Sequence, residues 1–417
     1  MFRPASIAFA AALVFASAAV AEEPTPTLTL NEVYAAVRAQ HPALAAARAE
    51  AEAARSRVTQ ENAWMDPKVS AEWRRDNIRP LNTYSEIEVT ASQELPLSRR
   101  NKLRAEVAAA EASVADAAVH VRERKLLNDA RTAFLRIAAI DTKTAVNDRL
   151  RTLLRQTTTL TRQAYESGQK MQSDLIATQT ELSRLDAEQA DLAAMRTENA
   201  SKLNALMQRP PDSSIAHLTL PEPTPLILTP AEALAHARAH NPELTLAARR
   251  VKTDEAKLAV AQKNRAIDPE VMIRGRQMNR TGDILSSYDT GVSFSVPWFN
   301  EGRNRAQLAE ARSGITAARA EVQMNDSDLA GMIAGMIQRT NTTFAQITRY
   351  NNELLPLSRQ QAASQRRAYE SGRAPLLDVF MAERSSIETE MALVNVRAEH
   401  ALAAAEFDFL TAHDVTP

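Results

Sequence analysis

The most regular pattern of apolar positions lies between Gln169 and Arg209, a stretch that contains neither glycine nor proline. Its apolar residues are separated by 7, 3, 7, 3, 8 and 3 positions: Leu175, Leu182, Leu185, Leu192, Met195, Leu203 and Leu206. Gaps of this kind keep apolar side chains on one face of a helix, as in a coiled-coil seam. The pattern predicts a long helix that needs a helical partner to bury its apolar stripe.

The preceding stretch supplies that partner. No glycine or proline occurs from residue 97 to residue 167, which is 71 positions. A continuous helix of that length would extend about 105 Å, at 1.5 Å per residue. The two helices would fold back through Tyr165-Glu166-Ser167-Gly168, where Gly168 supplies a permissive backbone. A second hairpin is predicted to turn at Tyr369-Glu370-Ser371-Gly372, and Pro356 is predicted to interrupt its first helix.

Four short segments alternate between apolar and polar residues with a period of two. The clearest segment places five residues on one face: Tyr288, Thr290, Val292, Phe294 and Val296. The other three alternate around Val69, Val89 and Ile273. Such alternation is typical of barrel strands with one lipid face and one wet face, and a small periplasmic sheet resting on a helix is the alternative.

The chain also repeats its own layout about 200 positions further on. Four matches occur in the same order: His41-Pro42 with Asn241-Pro242 at 200, Asp66-Pro67 with Asp268-Pro269 at 202, Arg100-Asn101 with Arg303-Asn304 at 203, and the two Tyr-Glu-Ser-Gly turns at 204. Matches in a constant order are hard to obtain by chance. The sequence predicts a first structural repeat over 22–207 and a second over 230–413, joined by a proline-rich linker over 208–229.

Each repeat is predicted to open with one helix, Leu30 to Asn62 in the first and Pro230 to Ile267 in the second. Thr229 before Pro230 indicates a helix start, because threonine caps helices and proline suits the first helical position. Two strands and a helical hairpin follow in each repeat. The predicted fold is therefore mainly α with a small β part, built from tandem long helical hairpins and four strands.

Four strands have a consequence for assembly. They cannot close a barrel, and unpaired strand edges are not tolerated in lipid. Strands that enter a membrane would therefore require several copies of the chain to share one barrel. Two copies are the minimum and three would supply twelve strands; strand counting alone does not choose between them.

The two ends of the chain are interpreted separately from the fold. Residues 1–21 are predicted to be a signal peptide, because Arg3 precedes a short apolar run and Ala19-Val20-Ala21 fits a cleavage site. Residues 414–417 are predicted to be a C-terminal tail. Charged residues interrupt every later helical region, so no transmembrane helix is expected. The mature chain is expected to be soluble in the periplasm or to enter the membrane as strands.

Composition removes several function classes. The 417 residues include 50 Lys and Arg, 51 Asp and Glu and no cysteine, with a formal net charge of −1. This balance gives no basis for nucleic-acid binding, and the lack of cysteine excludes disulfides and thiolate chemistry. No motif of a hydrolase, zinc protease, P-loop or dinucleotide enzyme occurs, so we expect neither enzymatic activity nor a cofactor. His236 and His240 have a metal-compatible spacing, but no third ligand is evident and an exposed pair is the simpler interpretation.

These features resemble the TolC-type outer membrane efflux family from Leu28 to about His413. Two strand-to-helix junctions carry the resemblance: Gln93-Glu94-Leu95-Pro96-Leu97 and Ser295-Val296-Pro297-Trp298-Phe299-Asn300. The two tips carry it as well, each with a tyrosine three residues before a glycine and with Asp174-Leu175 or Asp378-Val379 following. The junctions look most like the heavy-metal (cobalt, zinc, cadmium) branch.

The resemblance implies a homotrimer, with a shared 12-stranded β-barrel in outer-membrane lipid and a long periplasmic α-barrel. It implies a periplasmic adaptor (membrane fusion) protein and an inner-membrane pump of the RND type as partners, with heavy-metal cations as cargo. Carried onto this chain, the adaptor contacts are Tyr165, Gly168, Tyr369 and Gly372, and the periplasmic gate is Ser173, Asp174, Tyr369 and Asp378. Ala374 and Met381 depart from the gate pattern, where the family has an arginine and a second ring aspartate.

Other interpretations stay open at this point. The duct could serve drug efflux or type I protein secretion, and the two aspartates could be ordinary first-turn residues that favour the helix dipole. In another class, the chain could be a periplasmic coiled-coil adaptor or a structural protein. An adaptor would need glycine-rich β modules around one hairpin, whereas this chain has 9 glycines and two predicted hairpins. A passive coiled coil would not need the alternating segments.

Overall fold

A computed structural model describes residues 28–75, 85–168, 171–280 and 283–413. The predicted signal peptide (1–21) and C-terminal tail (414–417) lie outside the described residues. In order, the first half contains α1 (Leu30–Gln40), α2 (Pro42–Asn62), β1 (Lys68–Arg74), β2 (Glu86–Glu94), α3 (Arg100–Glu166) and α4 (Gln172–Leu206). The second half contains α5 (Pro230–His240), α6 (Pro242–Lys263), β3 (Pro269–Arg280), β4 (Asp283–Phe294), α7 (Glu301–Arg349), α8 (Leu355–Glu370) and α9 (Leu376–Thr411). The mainly α fold with four strands is confirmed.

The prediction of one opening helix per repeat was wrong, because each opening helix is two helices. The chain breaks at His41-Pro42 and at Asn241-Pro242, where the residue before proline has extended backbone angles. Proline disfavours helical geometry in the preceding residue and has no N–H to donate. The side chains of His41 and Asn241 instead accept hydrogen bonds from the first turn of α2 and α6. The predicted cap at Thr229 is confirmed.

The long helices differ between the repeats. Helix α3 runs without interruption for 67 residues, as predicted. In the second repeat Pro356 does not interrupt the helix, contrary to expectation. A single π-helical turn at Tyr350–Leu354 instead connects α7 to α8, and the backbone angles at both ends of this turn are helical. Pro356 lies in the first turn of α8 and has no backbone N–H to donate. The wider π-helical turn before it lets the helix continue without that hydrogen bond.

The helices pack as hairpins around several apolar cores. Leu185, Leu192 and Leu203 of α4 are buried, and Leu185 packs with Leu150 and Leu154 of α3. Helix α9 contributes Phe380 to the same cluster and so binds the second repeat to the first. Among the described helices, none is both long enough and apolar enough to cross a membrane.

The connection over residues 208–229 is held against helices α3 and α4. It contains no helix or strand, yet Ile215 and Leu218 are buried. Asp141 of α3, itself buried, accepts hydrogen bonds from the backbone N–H of Leu218 at 2.9 Å and from Nε of Arg196 at 2.6 Å. The Arg196 guanidinium also donates to the carbonyl of Ile215 at 3.0 Å.

The four strands form one antiparallel sheet in the order β1-β2-β3-β4. The first hairpin places Val69 opposite Ala91, and the second places Val271 opposite Val292. The central pairing of β2 with β3 joins the two halves and places Ala91 opposite Ile273. Within the described chain the outer edges of β1 and β4 pair with no strand.

Candidate functional site

One face of the sheet is apolar and largely exposed. The register aligns side chains from all four strands on this face: Val69, Ala71, Trp73, Ile87, Val89, Ala91, Val271, Ile273, Tyr288, Thr290, Val292 and Phe294. Trp73 is 73% exposed and Tyr288 is 83% exposed. Tyr288 lies over Gly275 on the neighbouring strand, where an added Cβ would lie 3.6 Å from its ring. An apolar sheet face with no helix on it is suited to lipid rather than water.

The opposite face is charged and internally paired. Arg276 of β3 binds Glu86 at 2.9 Å and Glu88 at 3.1 Å on β2. Arg274 binds Glu88 at 2.9 Å, and Arg74 of β1 binds Glu86 at 2.8 Å. The network spans three strands. The two faces therefore have the opposite polarities that a barrel strand needs toward lipid and toward a water-filled interior.

The two tips have the same backbone geometry. Gly168 and Gly372 have φ of +74° and +71°, as the turn prediction requires. Their N–H groups donate to the carbonyls of Tyr165 at 2.9 Å and Tyr369 at 2.8 Å. Tyr165 is 40% exposed and Tyr369 is 45% exposed, so each tip presents an aromatic side chain to its surroundings.

The predicted gate residues lie at the starts of two helices. Ser173 and Asp174 are in the first turn of α4, and Asp378 is in the first turn of α9. Ser173 and Asp378 are exposed and Asp174 is half-buried. In the described part of one chain, no hydrogen bond joins Tyr369 to Ser173.

The histidine pair is held by backbone contacts. His236 and His240 stack with ring centroids 4.3 Å apart. Their Nδ1 atoms lie 2.8 Å from the Thr411 carbonyl and 3.0 Å from the His236 carbonyl. His413 approaches His236 with ring centroids 4.9 Å apart. Among the described residues, no three His, Cys, Asp or Glu side chains are arranged to hold a metal ion.

The sequence identified the alternating faces but missed two sets of contacts. The ion pairs of Arg274 and Arg276 depend on which residues lie opposite each other across β2 and β3. A second contact joins Arg100, at the start of α3, to the carbonyl of Ala266 at 2.6 Å and to the Asp268 carboxylate at 3.6 Å. The sequence shows that the Arg-Asn and Asp-Pro motifs are each repeated, but only the folded chain shows that Arg100 contacts Asp268.

Comparisons with known proteins agree with this geometry. A family model described as outer membrane efflux protein matches residues 33–208 and 233–413. The structure is similar to that of a membrane protein from Pseudomonas aeruginosa (16% identity, TM-score 0.77, 92% of each chain covered). It is also similar to the outer membrane protein VceC from Vibrio cholerae (17% identity, TM-score 0.74, 92% of this chain and 95% of that one).

A third similar structure is the outer membrane channel CmeC from Campylobacter jejuni (12% identity, TM-score 0.75, 92% of this chain and 85% of that one). At these identities the structural likeness shows a shared fold. No curated protein matches the sequence.

Proposed function

The chain belongs to the outer membrane efflux protein family, and from this premise we propose that it is the duct subunit of a tripartite RND-type efflux system. The observation that carries the proposal is the separation of two unlike ends. An amphipathic sheet with open edges lies at one end of α3, and the exposed tips lie at the other. Helix α3 alone, with 67 residues, extends about 100 Å. That length suits a passage across the periplasm.

The assembled state in this proposal is a homotrimer. The apolar face of the sheet favours lipid, but both edges of the described sheet lack partners, and open edges are not stable in lipid for a single chain. Three copies would contribute twelve strands to one barrel. Their long helices would continue that barrel as a tunnel.

The tips are proposed to contact a periplasmic adaptor. Support comes from the exposed side chains around them, which include Tyr165, Tyr369 and Met171, the last 74% exposed. Apolar and aromatic side chains at an exposed turn favour protein contact. Gly168 and Gly372 would keep the two turns in the shape that the adaptor recognises.

The gate is proposed to be a ring of carboxylates. Asp174 and Asp378 start neighbouring helices of the two hairpins, and three copies would bring six such groups around one axis. Clustered carboxylates attract cations. The loss of the family's arginine at Ala374 and aspartate at Met381 leaves Tyr369 and Ser173 as the polar links between helices. Heavy-metal cations are the proposed cargo, because the junction sequences resemble that branch.

Assembly and cargo are tested together in cells. The chain should fractionate with the outer membrane, and in detergent its mass should be about three times 45.8 kDa less the signal peptides. Deletion of the gene should sensitise cells to cobalt, zinc or cadmium salts. Sensitivity to drugs alone, or loss of a secreted protein alone, would identify the other cargo class. A stable monomer in detergent-free buffer would contradict the duct itself.

The gate is tested by removing its charge. Asp174→Asn with Asp378→Asn should weaken cation selectivity and block by multivalent cations in planar bilayers. Asp191→Asn is the matched control, because Asp191 is exposed on the same helix, α4, away from the tip. Unchanged selectivity and block in the double variant would leave both aspartates as helix-start residues.

A further inference from the structure

The two strand hairpins correspond residue by residue. Pro67 directly precedes β1 and Pro269 is the first residue of β3, 202 positions further on. Pro96 and Pro297, after β2 and β4, are 201 apart. Shifting the pair Val69–Ala91 by these offsets gives Val271–Val292, which are opposite each other in the second hairpin. Every pair of the first hairpin maps in this way. The internal repeat therefore holds at the level of strand register.

The contact between the repeats within one chain is known in detail. Beside the sheet it includes the β2–β3 ladder and the Arg100 contacts to Ala266 and Asp268. Within this contact the side chain of Asp268 is 5% exposed and that of Arg100 is 25% exposed. The ladder also places Glu88 opposite Arg276, and the two form a salt bridge.

The corresponding residues at the outer edges are complementary and uncovered. Arg303 corresponds to Arg100 and Asp66 to Asp268. Both are exposed, and in the described chain neither side chain has a hydrogen-bond or ion-pair partner. Asp289 corresponds to Glu88 and Arg74 to Arg276. Asp289 is exposed and forms no salt bridge within the described residues. The pairs Arg100–Asp268 and Glu88–Arg276 thus have counterparts of the same charge at the open edges, although Arg74 also binds Glu86 of its own chain. The other two internal partners are not repeated, because Glu72 stands where Arg274 does and Ser287 where Glu86 does.

We propose that the open edges form a seam between copies that repeats the internal contact. In this seam β4 of one copy pairs with β1 of the next, with Val292 opposite Ala71 of the neighbouring copy. Asp289 then lies opposite Arg74, and Arg303 binds the Asp66 carboxylate and the Trp64 carbonyl. All apolar side chains of β4 and β1 stay on the same face in this register, as continuous lipid contact requires.

One part of the internal contact is not repeated. Ser98 binds Asp268 through both its N–H and its hydroxyl at 2.7 Å. The second repeat has two more residues here and forms a 3-10 turn at Pro297–Asn300. The seam between copies is therefore held by the Arg303 contact without a serine, and its junction is predicted to be weaker than the internal one.

Disulfide trapping tests the register, and the absence of native cysteine makes it unambiguous. Two double variants, Ala71→Cys with Val292→Cys and Ser70→Cys with Ser293→Cys, sample both kinds of antiparallel pair. On oxidation in outer membranes, one of them should give covalently linked copies. Trp73→Cys with Phe294→Cys is the control, because it lies four residues out of register, about 14 Å apart.

The outcomes separate this inference from the proposed function on which it rests. Linkage in the control but not in the two test pairs would overturn the register. Trimers by mass in detergent with no linkage in either test pair would also overturn it and leave the duct intact. Monomers by mass would refute the assembly itself.

Charge reversal tests the junction. Arg303→Glu should cause loss of SDS-resistant trimer at a lower temperature than in the native protein, and Asp66→Arg in the same chain should restore it. The reversal Arg100→Glu is the internal control, because it affects folding of one chain and is not rescued by Asp66→Arg. Equal trimer stability in Arg303→Glu and the native protein would overturn the proposed Arg303–Asp66 contact.

Discussion

At the scale of single residues, the two tip glycines show how backbone conformation constrains side-chain choice. Gly168 and Gly372 have positive φ, and there is open space where a Cβ would lie at each. Packing would therefore tolerate a larger residue, and only the backbone resists it. Side chains other than glycine cost about 1–2 kcal/mol in this left-handed region.

We therefore expect Gly168→Ala and Gly314→Ala to have opposite effects. The first should lower the free energy of unfolding by about 1 kcal/mol, because of its positive φ. The second should raise it by up to about 1 kcal/mol, because Gly314 lies inside α7 and alanine favours helix. Denaturant unfolding followed by circular dichroism measures both. The same sign for the two variants would contradict the argument.

His400 is a buried titratable residue within α9. Its Nδ1 lies 3.1 Å from the Thr343 hydroxyl, and it is 3% exposed. Burial lowers the pKa of His400 below its ordinary value, because the charged imidazolium loses hydration. The unfolded chain then takes up a proton at a higher pH than the folded chain. Stability is present above the ordinary pKa and falls as the pH drops from there toward the folded pKa.

His400→Gln should therefore reduce the loss of thermal stability between about pH 8 and pH 5.5. Glutamine keeps polar contacts but cannot take up a proton. Melting midpoints at both pH values, followed at the helical circular dichroism band, measure the effect. His217→Gln, at an exposed position in the linker, is the control and should leave the pH dependence as it was. If the melting midpoint of His400→Gln falls between the two pH values as much as that of the native protein, other titratable groups cause the loss of stability.

At the scale of elements, the linker is held by one buried carboxylate. Asp141 is 3% exposed and binds both Arg196 and the Leu218 N–H. Its removal would leave two donors without their acceptor. The arrangement ties residues 208–229 to the α3–α4 hairpin and so fixes where the second repeat begins.

Asp141→Ala should lower the free energy of unfolding by about 3 kcal/mol, the lower end for a broken buried ion pair, since Arg196 is one-third exposed. It should also expose residues 208–229 to limited proteolysis. Asp186→Ala breaks a pair with Arg151 in which the aspartate is 47% exposed, and should cost less than about 1 kcal/mol. Equal losses in the two variants would show that burial of Asp141 is not the cause.

The apolar stripe of α4 shows that sequence periodicity does not by itself predict which side chains are buried. Leu185, Leu192 and Leu203 are buried as the heptad spacing predicts, but Met195 is 49% exposed. Periodicity identifies the apolar side of a helix but not how many neighbours cover it. Helix α4 packs mainly on α3, so part of its apolar stripe stays exposed.

At the scale of the whole molecule, the two faces of the sheet decide membrane insertion. Val292→Arg places a charge on the apolar face and should oppose insertion by about 2–4 kcal/mol near the bilayer midplane. Ser293→Arg places the same charge on the wet face, where Glu270 lies within reach of Ser293 at 3.5 Å. The fraction of each variant in the outer membrane measures the difference. Equal insertion would contradict the assignment of the faces.

The sequence by itself predicted the long helices, the four strands, the turn glycines and the two faces of each strand. These follow from local rules: periodicity, the absence of breakers over 97–167, and backbone freedom at Gly168. It did not predict the breaks at His41-Pro42 and Asn241-Pro242 or the π-helical turn before Pro356, because a proline can end, kink or join a helix depending on its neighbours.

Only the tertiary structure decided which residues meet. The Arg276–Glu88 pair, the Arg100–Asp268 contact and the burial of Asp141 join positions far apart in the chain. Charges of opposite sign occur throughout the sequence, and spacing alone cannot select among them. Strand register and helix packing make that selection, because they set distances within a few ångströms, and both depend on the whole folded chain.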